Sequence, residues 1–364
     1  MTTDNGIDSS LAPNWRHVGA FLGLTFGLTW LLDLAIYLRG GLATPGMVIL
    51  LQLQMLLPAF SAIVLGLLFF AESPLYRGRP AGRERWFYYY FLLLTVVYVL
   101  GAAAAWLAPA PETLTLVGSI TLLLAFLGLL VLVVLRFVAG REAMARVWLA
   151  WGNWRYWLLF GPAFVAYYAL QAALNAYFGL GGAHLAPLPA PPGISPEIIL
   201  IVAAVQSVLL APILAIVIAF GEECGWRGYL QSELFKLGRV RGVLLLGVIW
   251  GAWHWPIILM GFNYPGHPLL GVLLMTLYTT GLAVVLGYAV LRSGSVLLAA
   301  YLHALNNQVA GFIVAVGFRP FDPAFSFGIG IYGLATLAIV ALLVLRDPIW
   351  RGKGSNLPLP RQQE

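Results

Sequence analysis

Four side chains of rare type for their surroundings, Glu222, His254, His303 and Asn307, stand inside or at the edge of long apolar runs of a 364-residue chain. Polar and ionisable groups in such runs are costly to bury, face a protein interior or a wet cavity, and are functional candidates by default. Glu222 is followed directly by Glu223, with Arg227 four residues beyond that. A helix continued through this stretch sets Glu223 and Arg227 on one face, at the spacing of an intrahelical ion pair. Glu222 then points elsewhere and keeps a free carboxylate, the group a general base needs. The structural alternative is a pair of interfacial acids neutralised by Arg227 and the arginines of nearby loops.

His254 lies in Trp250-Gly251-Ala252-Trp253-His254-Trp255-Pro256. Trp250 shares its helical face, so the indole can pack against the imidazole and hold it. The alternative is a structural histidine bonded to a carbonyl freed by Pro256. His303 and Asn307 are again one turn apart and can both donate to a single oxygen between them, the requirement of an oxyanion site. Hydrogen bonding between helices would use the same two residues. One shared cavity accounts for all four groups with a single cause.

The elements that position them are set by composition. The chain is 61% hydrophobic and 9% charged, against roughly 25% charged in an ordinary soluble domain. Lipid must therefore be its solvent over most of its length, and helices are the expected spanning form because backbone groups in lipid pair internally. Apolar runs long enough to cross a bilayer predict ten spans, near 17–38, 47–71, 87–108, 115–138, 157–179, 197–222, 243–260, 269–291, 295–317 and 327–345. The expected fold class is an all-α, polytopic transmembrane bundle of eight to ten spans. Of the 20 Lys and Arg residues, only Arg39 and Arg319 fall on one side of this arrangement. The positive-inside rule then makes both termini cytoplasmic. Counting along the helices from the Arg-rich side places the four groups in one depth zone, in a cavity expected to face the cytoplasm.

The Pro-rich segment from Gly179 to Pro196 cannot be helical throughout and divides the chain. Residues 1–196 read as accessory N-terminal helices, 197–346 as the catalytic core and 347–364 as a cytoplasmic tail. The single cysteine, Cys224, excludes an intramolecular disulfide and a Cys-based zinc cluster. The net charge of +6 is dispersed over short loops, so topology explains it better than a nucleic-acid partner does. The first dozen residues, with Asp4 and Asp8, are unlike a signal peptide, and the first apolar run is expected to remain. Asp33 is expected to pair with a neighbouring helix or to snorkel. His17, His184 and His267 fall at interfaces or in loops, and the Trp and Tyr residues read mostly as interfacial anchors.

Glu222-Glu223-x-x-x-Arg227, Trp250-x-x-x-His254 and His303-x-x-x-Asn307 resemble, in order and spacing, the EExxxR, (F/W)xxxH and HxxxN motifs of the CAAX protease and bacteriocin-processing (CPBP) family, which includes the type II CAAX prenyl proteases. Met55-Leu56-Leu57-Pro58-Ala59-Phe60 also resembles an early Pro-Ala segment of such proteins. The resemblance implies an intramembrane endopeptidase in which Glu222, helped by His254, activates water while His303 and Asn307 stabilise the tetrahedral oxyanion. It gives Glu223 and Arg227 supporting roles. It further implies a multi-pass protein, placed here in a prokaryotic plasma membrane, with membrane lipid and a membrane-anchored peptide or protein, a prenylated CAAX-type one among the candidates, as partners. Three other readings stay open. Glu222, His254 and His303 could hold Zn²⁺ with water as fourth ligand, although the HExxH helix that would make this specific is missing and the metal-independent route is preferred. Buried Glu and His also build proton relays in ion-coupled carriers, and a non-catalytic scaffold would tolerate Glu222→Ala.

Overall fold

The computed structural model describes residues 12–79, 82–183, 191 and 193–352. Segments that must satisfy their own backbone in lipid become, in chain order, α1 (Trp15–Leu38), α2 (Met47–Leu68), α3 (Arg85–Leu107), α4 (Pro111–Val138), the short α5 (Arg141–Arg146) and α6 (Trp154–Tyr177). The ends follow from local chemistry. Asn14 caps α1 by accepting from the His17 backbone N–H. α4 opens with Pro111 and Glu112 and closes with Arg136 in its last turn, matching the dipole at both ends.

After the Pro-rich segment comes one long, irregular helical rod. It runs through α7 (Pro196–Val205), a π turn (Gln206–Leu210), α8 (Ala211–Leu214), α9 (Ile216–Glu223), a second π segment (Cys224–Leu230) and α10 (Gln231–Leu234). Then follow α11 (Arg239–Trp253), α12 (Trp255–Leu259), α13 (Pro268–Ser293), α14 (Val296–Val316) and α15 (Ile331–Leu345). Two three-residue strands, β1 (Gly181–Ala183) and β2 (Phe318–Pro320), pair antiparallel with Gly182 opposite Arg319. They tie the exit of α6 to the exit of α14.

Among the described residues, eight helices are long and apolar enough to cross a membrane. Two of the ten expected spans take other forms. The 243–260 run divides at His254 into α11 and α12, because Pro256 lacks the N–H and crowds the turn before it. The 327–345 run begins as a loop and leaves the 15-residue α15, about 22 Å long and short of the ~30 Å hydrocarbon layer. Outward faces of α4 and of Pro196–Leu214 present Leu122, Leu123, Ile198, Ile201 and Leu209 to the surroundings, where lipid is their only compatible solvent.

Inside, small residues set the helix spacing. A Cβ on Gly221 would lie 2.3 Å from the Met55 carbonyl oxygen and one on Gly225 2.6 Å from Pro58 Cβ, so the α9 rod rests directly on the backbone of α2. Gly247 and Gly251 do the same for α11, where a Cβ would lie 2.4 Å from Thr280 Cα and 2.6 Å from Thr276 Cα of α13. This is the small-xxx-small device that lets membrane helices approach closely. Gly251→Leu is therefore expected to destabilise by about 1–3 kcal/mol or more through overpacking. In α1, by contrast, Gly23→Leu meets open space and is expected to leave the thermal unfolding midpoint in detergent unchanged; equal midpoints for the two variants would contradict this packing.

Candidate active site

Glu223 sits at the last turn of α9 and Arg227 within the π segment that follows, a helix form that recurs at functional sites. Both side chains are fully buried. Arg227 Nη1 donates to Glu223 Oε1 at 3.3 Å, and its Nε lies 3.1 Å from Oε2 without hydrogen-bond alignment. The guanidinium stacks over Trp250 with its carbon 4.1 Å from the ring centroid, a cation–π contact strengthened by the absence of water. The pairing expected from the spacing is thus present.

Glu222 is held differently. Its Oε2 accepts a hydrogen bond from Trp250 Nε1 at 2.7 Å, and its Oε1 lies 3.9 Å from His303 Nε2. Trp250 packs beside His254 as expected, with ring centroids 6.0 Å apart, and its N–H in addition serves Glu222. The reason is that an indole N–H can only donate, and the nearest buried acceptor is the carboxylate. His254 also meets Trp253 edge-on at 4.7 Å, and its Nδ1 lies 2.8 Å from the Trp250 carbonyl oxygen. That carbonyl is available because the His254 N–H turns to Gly251 at the end of α11. A carbonyl only accepts, so Nδ1 carries the proton and Nε2 is left as a lone pair. The bond foreseen for a structural histidine is made, and it fixes the tautomer a water-activating imidazole would use.

His303 Nδ1 lies 2.8 Å from Glu223 Oε1, which turns Nε2 toward Glu222. Asn307, one turn on, is exposed, with its Oδ1 accepting from Asn306 Nδ2 at 3.1 Å. A cavity of about 570 Å³ is lined by Glu222, His254, His303 and Asn307 together. The four candidates are brought to one space, with Glu223 and Arg227 behind it. Gln54 of α2, Tyr168 of α6, Tyr278 of α13 and Asn306 also line this space and were not singled out by sequence reasoning. The signal for them was a lone amide or phenol deep in an apolar run; reading tyrosines as interfacial anchors hid Tyr168 and Tyr278, which are buried.

The cavity wall also includes Phe262, Asn263, Phe327, Gly328 and Ile329. These residues belong to the loops after α12 and after β2, on the face carrying Arg39 and Arg319. The wall takes no residue from the Arg-rich loops, and fully buried Trp226 and Arg227 lie on that side of Glu222. The lining thus runs from Glu222 toward the face carrying Arg39 and Arg319. Counting residues along helices gave depth but could not say in which direction the space continues.

The remaining polar residues behave as local partners. Gln54 Nε2 donates to Asp33 Oδ1, the interhelical pairing expected for Asp33. His17 stacks on Phe70 at 3.8 Å and lies 3.0 Å from Glu72, and His267 lies 3.0 Å from Asp322. His184 and the first eleven residues are outside the described residues. Asp347 accepts from Tyr288 at 2.7 Å, pairs with Arg292, and is followed by buried Trp350, so the described start of the C-terminal segment packs on α13. Among the described residues, no group of three or more His, Cys, Asp or Glu side chains is arranged to hold a metal ion.

A family model described as type II CAAX prenyl endopeptidase Rce1-like matches residues 204–309, the stretch that carries Glu222, Glu223, Arg227, Trp250, His254, His303 and Asn307. No curated protein and no solved structure matches the chain. Residues 204–309 are thus similar to the type II CAAX prenyl endopeptidase Rce1-like family, and this matched segment is embedded in a multi-pass helical bundle.

Proposed function

We propose that the chain hydrolyses a peptide bond of a membrane-associated substrate, a prenylated CAAX-type tail among the candidates, by a glutamate-activated water. The observation that carries this reading is Glu222: one carboxylate oxygen is tied to Trp250 Nε1 and the other is left toward His303 in a cavity shared with His254 and Asn307. A water beside the free oxygen gives its proton to Glu222 as its own oxygen attacks the scissile carbonyl carbon, with the His254 Nε2 lone pair orienting it. Charge on the former carbonyl oxygen is met by Asn307 Nδ2 and His303 Nε2. The C–N bond then breaks, the proton on Glu222 passes to the departing nitrogen, and a carboxylic acid and an amine leave, with Glu222 restored as carboxylate. With both ring nitrogens protonated, His303 and Arg227 balance Glu222 and Glu223, so the buried set carries no net charge. Substrate enters by the loops carrying Asn263 and Phe327, and α2 and α6 supply wall residues from outside the matched segment.

The experiment is an assay of the purified chain in nanodiscs on prenylated and plain membrane-anchored peptides, with and without a chelator. Cleavage is expected, and its rate is expected to stay within about twofold on chelation, since Glu222 rather than a metal supplies the base. Loss of activity restored by zinc would replace this route by a zinc-dependent one. The absence of cleavage on every peptide would favour an ion-coupled carrier or a scaffold.

A further inference from the structure

Asn307 Nδ2 can meet an oxyanion only if its amide is turned the right way round, and a terminal amide is free to sit either way. Here the neighbouring residue decides. Asn306 is buried, and its Oδ1 lies 2.6 Å from Tyr168 Oη and 3.0 Å from Tyr278 Oη. The shorter distance is that of an O–H···O bond, well below the usual 2.9–3.0 Å of N–H···O. The two phenols are 3.2 Å from one another and converge on the one acceptor. With its oxygen committed to them, Asn306 has only Nδ2 to offer on its other side, and that atom lies 3.1 Å from Asn307 Oδ1. Asn307 must then accept with its oxygen and present both Nδ2 hydrogens away from Asn306.

We propose that Tyr168, Tyr278 and Asn306 form a positioning relay that fixes the orientation of the Asn307 amide, so that its N–H donors, and never its carbonyl, face the reacting oxygen. This inference rests on the oxyanion role given above to Asn307. It assigns a function to Asn306, which the spacing of the matched motifs does not require, and to Tyr168, which lies in α6 and outside residues 204–309. Without the relay the Asn307 amide is free to turn. In half of its orientations it would set a carbonyl lone pair against a developing negative charge. Glu223 serves His303 in the same manner, and Trp250 serves Glu222; each group at the cavity surface has one buried partner that removes its rotational choice, the arrangement that holds a reactive constellation within a few tenths of an ångström.

Asn306→Asp tests this directly. A carboxylate still accepts from both phenols but has no hydrogen to donate, so the Asn307 amide reverses and aims its oxygen at the substrate. With peptide substrate in nanodiscs, kcat is expected to fall about 10–100-fold with KM within about twofold, because the lost contact is made only in the transition state. Asn307→Ala alone is expected to fall about 10²–10³-fold, the cost of one oxyanion donor. Combining the two should add less than about twofold to Asn307→Ala, since the relay acts only through Asn307. Should Asn306→Asp fold poorly, Tyr168→Phe with Tyr278→Phe keeps the volume, removes both donors, and is expected to lower kcat several-fold with the same dependence on Asn307. Unchanged kcat in Asn306→Asp, a rise in KM alone, or independent effects that multiply with Asn307→Ala would overturn the relay while leaving the protease reading intact. Full activity in Asn307→Ala would overturn both the relay and the oxyanion site.

Discussion

Glu222→Gln is expected to lower kcat by about 10²–10⁴-fold, the range for removing a positioned general base, and to lower the unfolding midpoint as well, because one of the two buried acids that balance His303 and Arg227 loses its charge. The substitution is chosen for what it keeps. Glutamine has the same length, and its carbonyl oxygen can accept from Trp250 Nε1 as Glu222 Oε2 does at 2.7 Å. The buried set around it, with Arg227 under Trp250 at 4.1 Å, needs no rearrangement. What disappears is the capacity to take a proton from water. Single-turnover cleavage in nanodiscs measures the loss, and the unfolding midpoint of the same preparation shows whether the protein is intact. Wild-type rates in a folded Glu222→Gln would remove the glutamate from the mechanism. They would favour a scaffold whose acids are structural, because the lost charge would then have had no work to perform.

Much of the arrangement was legible before any coordinates. Apolar runs gave the helices because lipid leaves the backbone few other forms, and the four-residue spacings gave shared faces because an α-helix turns every 3.6 residues. Glu223 and Arg227 show how far this goes: they pair as their spacing requires, even though the segment between Cys224 and Leu230 is π-helical. Side-chain partners across helices were not legible. That Trp250 would also serve Glu222 on another helix depends on where α9 and α11 are set by their own neighbours, α9 on α2 through Gly221 and Met55 and α11 on α13 through Gly247 and Thr280. Spacing along one helix contains no such information. The break at His254 was half legible, since Pro256 marks it, but the carbonyl it frees for the imidazole is seen only in three dimensions. Tyr168 and Tyr278 were misread for a related reason: an aromatic with a polar tip suits a membrane interface and a buried hydrogen-bond network equally, and only the neighbour Asn306 distinguishes them.

The Glu223 and Arg227 pair separates stability from catalysis more sharply than any single cavity residue. Arg227→Leu leaves a carboxylate in a site from which both partners are wholly excluded from solvent, and breaking a buried pair on one side costs about 3–5 kcal/mol. It also removes the cation over Trp250, whose indole orients Glu222. A large drop in the unfolding midpoint and in activity is expected, and the activity loss alone would be uninformative. Glu223→Leu combined with Arg227→Leu is the decisive variant. Replacing both members of a buried ion pair by apolar groups is often neutral or stabilising, so the midpoint is expected to return most of the way. Activity is expected to stay low, because Glu223 Oε1 is also the acceptor that holds His303 Nδ1 at 2.8 Å. Without it the ring loses the acceptor that keeps Nδ1 protonated and the imidazole in place, and Nε2 no longer faces Glu222 as a fixed donor. A stable double variant with wild-type kcat would show that the pair serves the fold alone. A stable double variant with low kcat would mean that the fold retains the charge of Glu223 at the expense of stability because the histidine needs it.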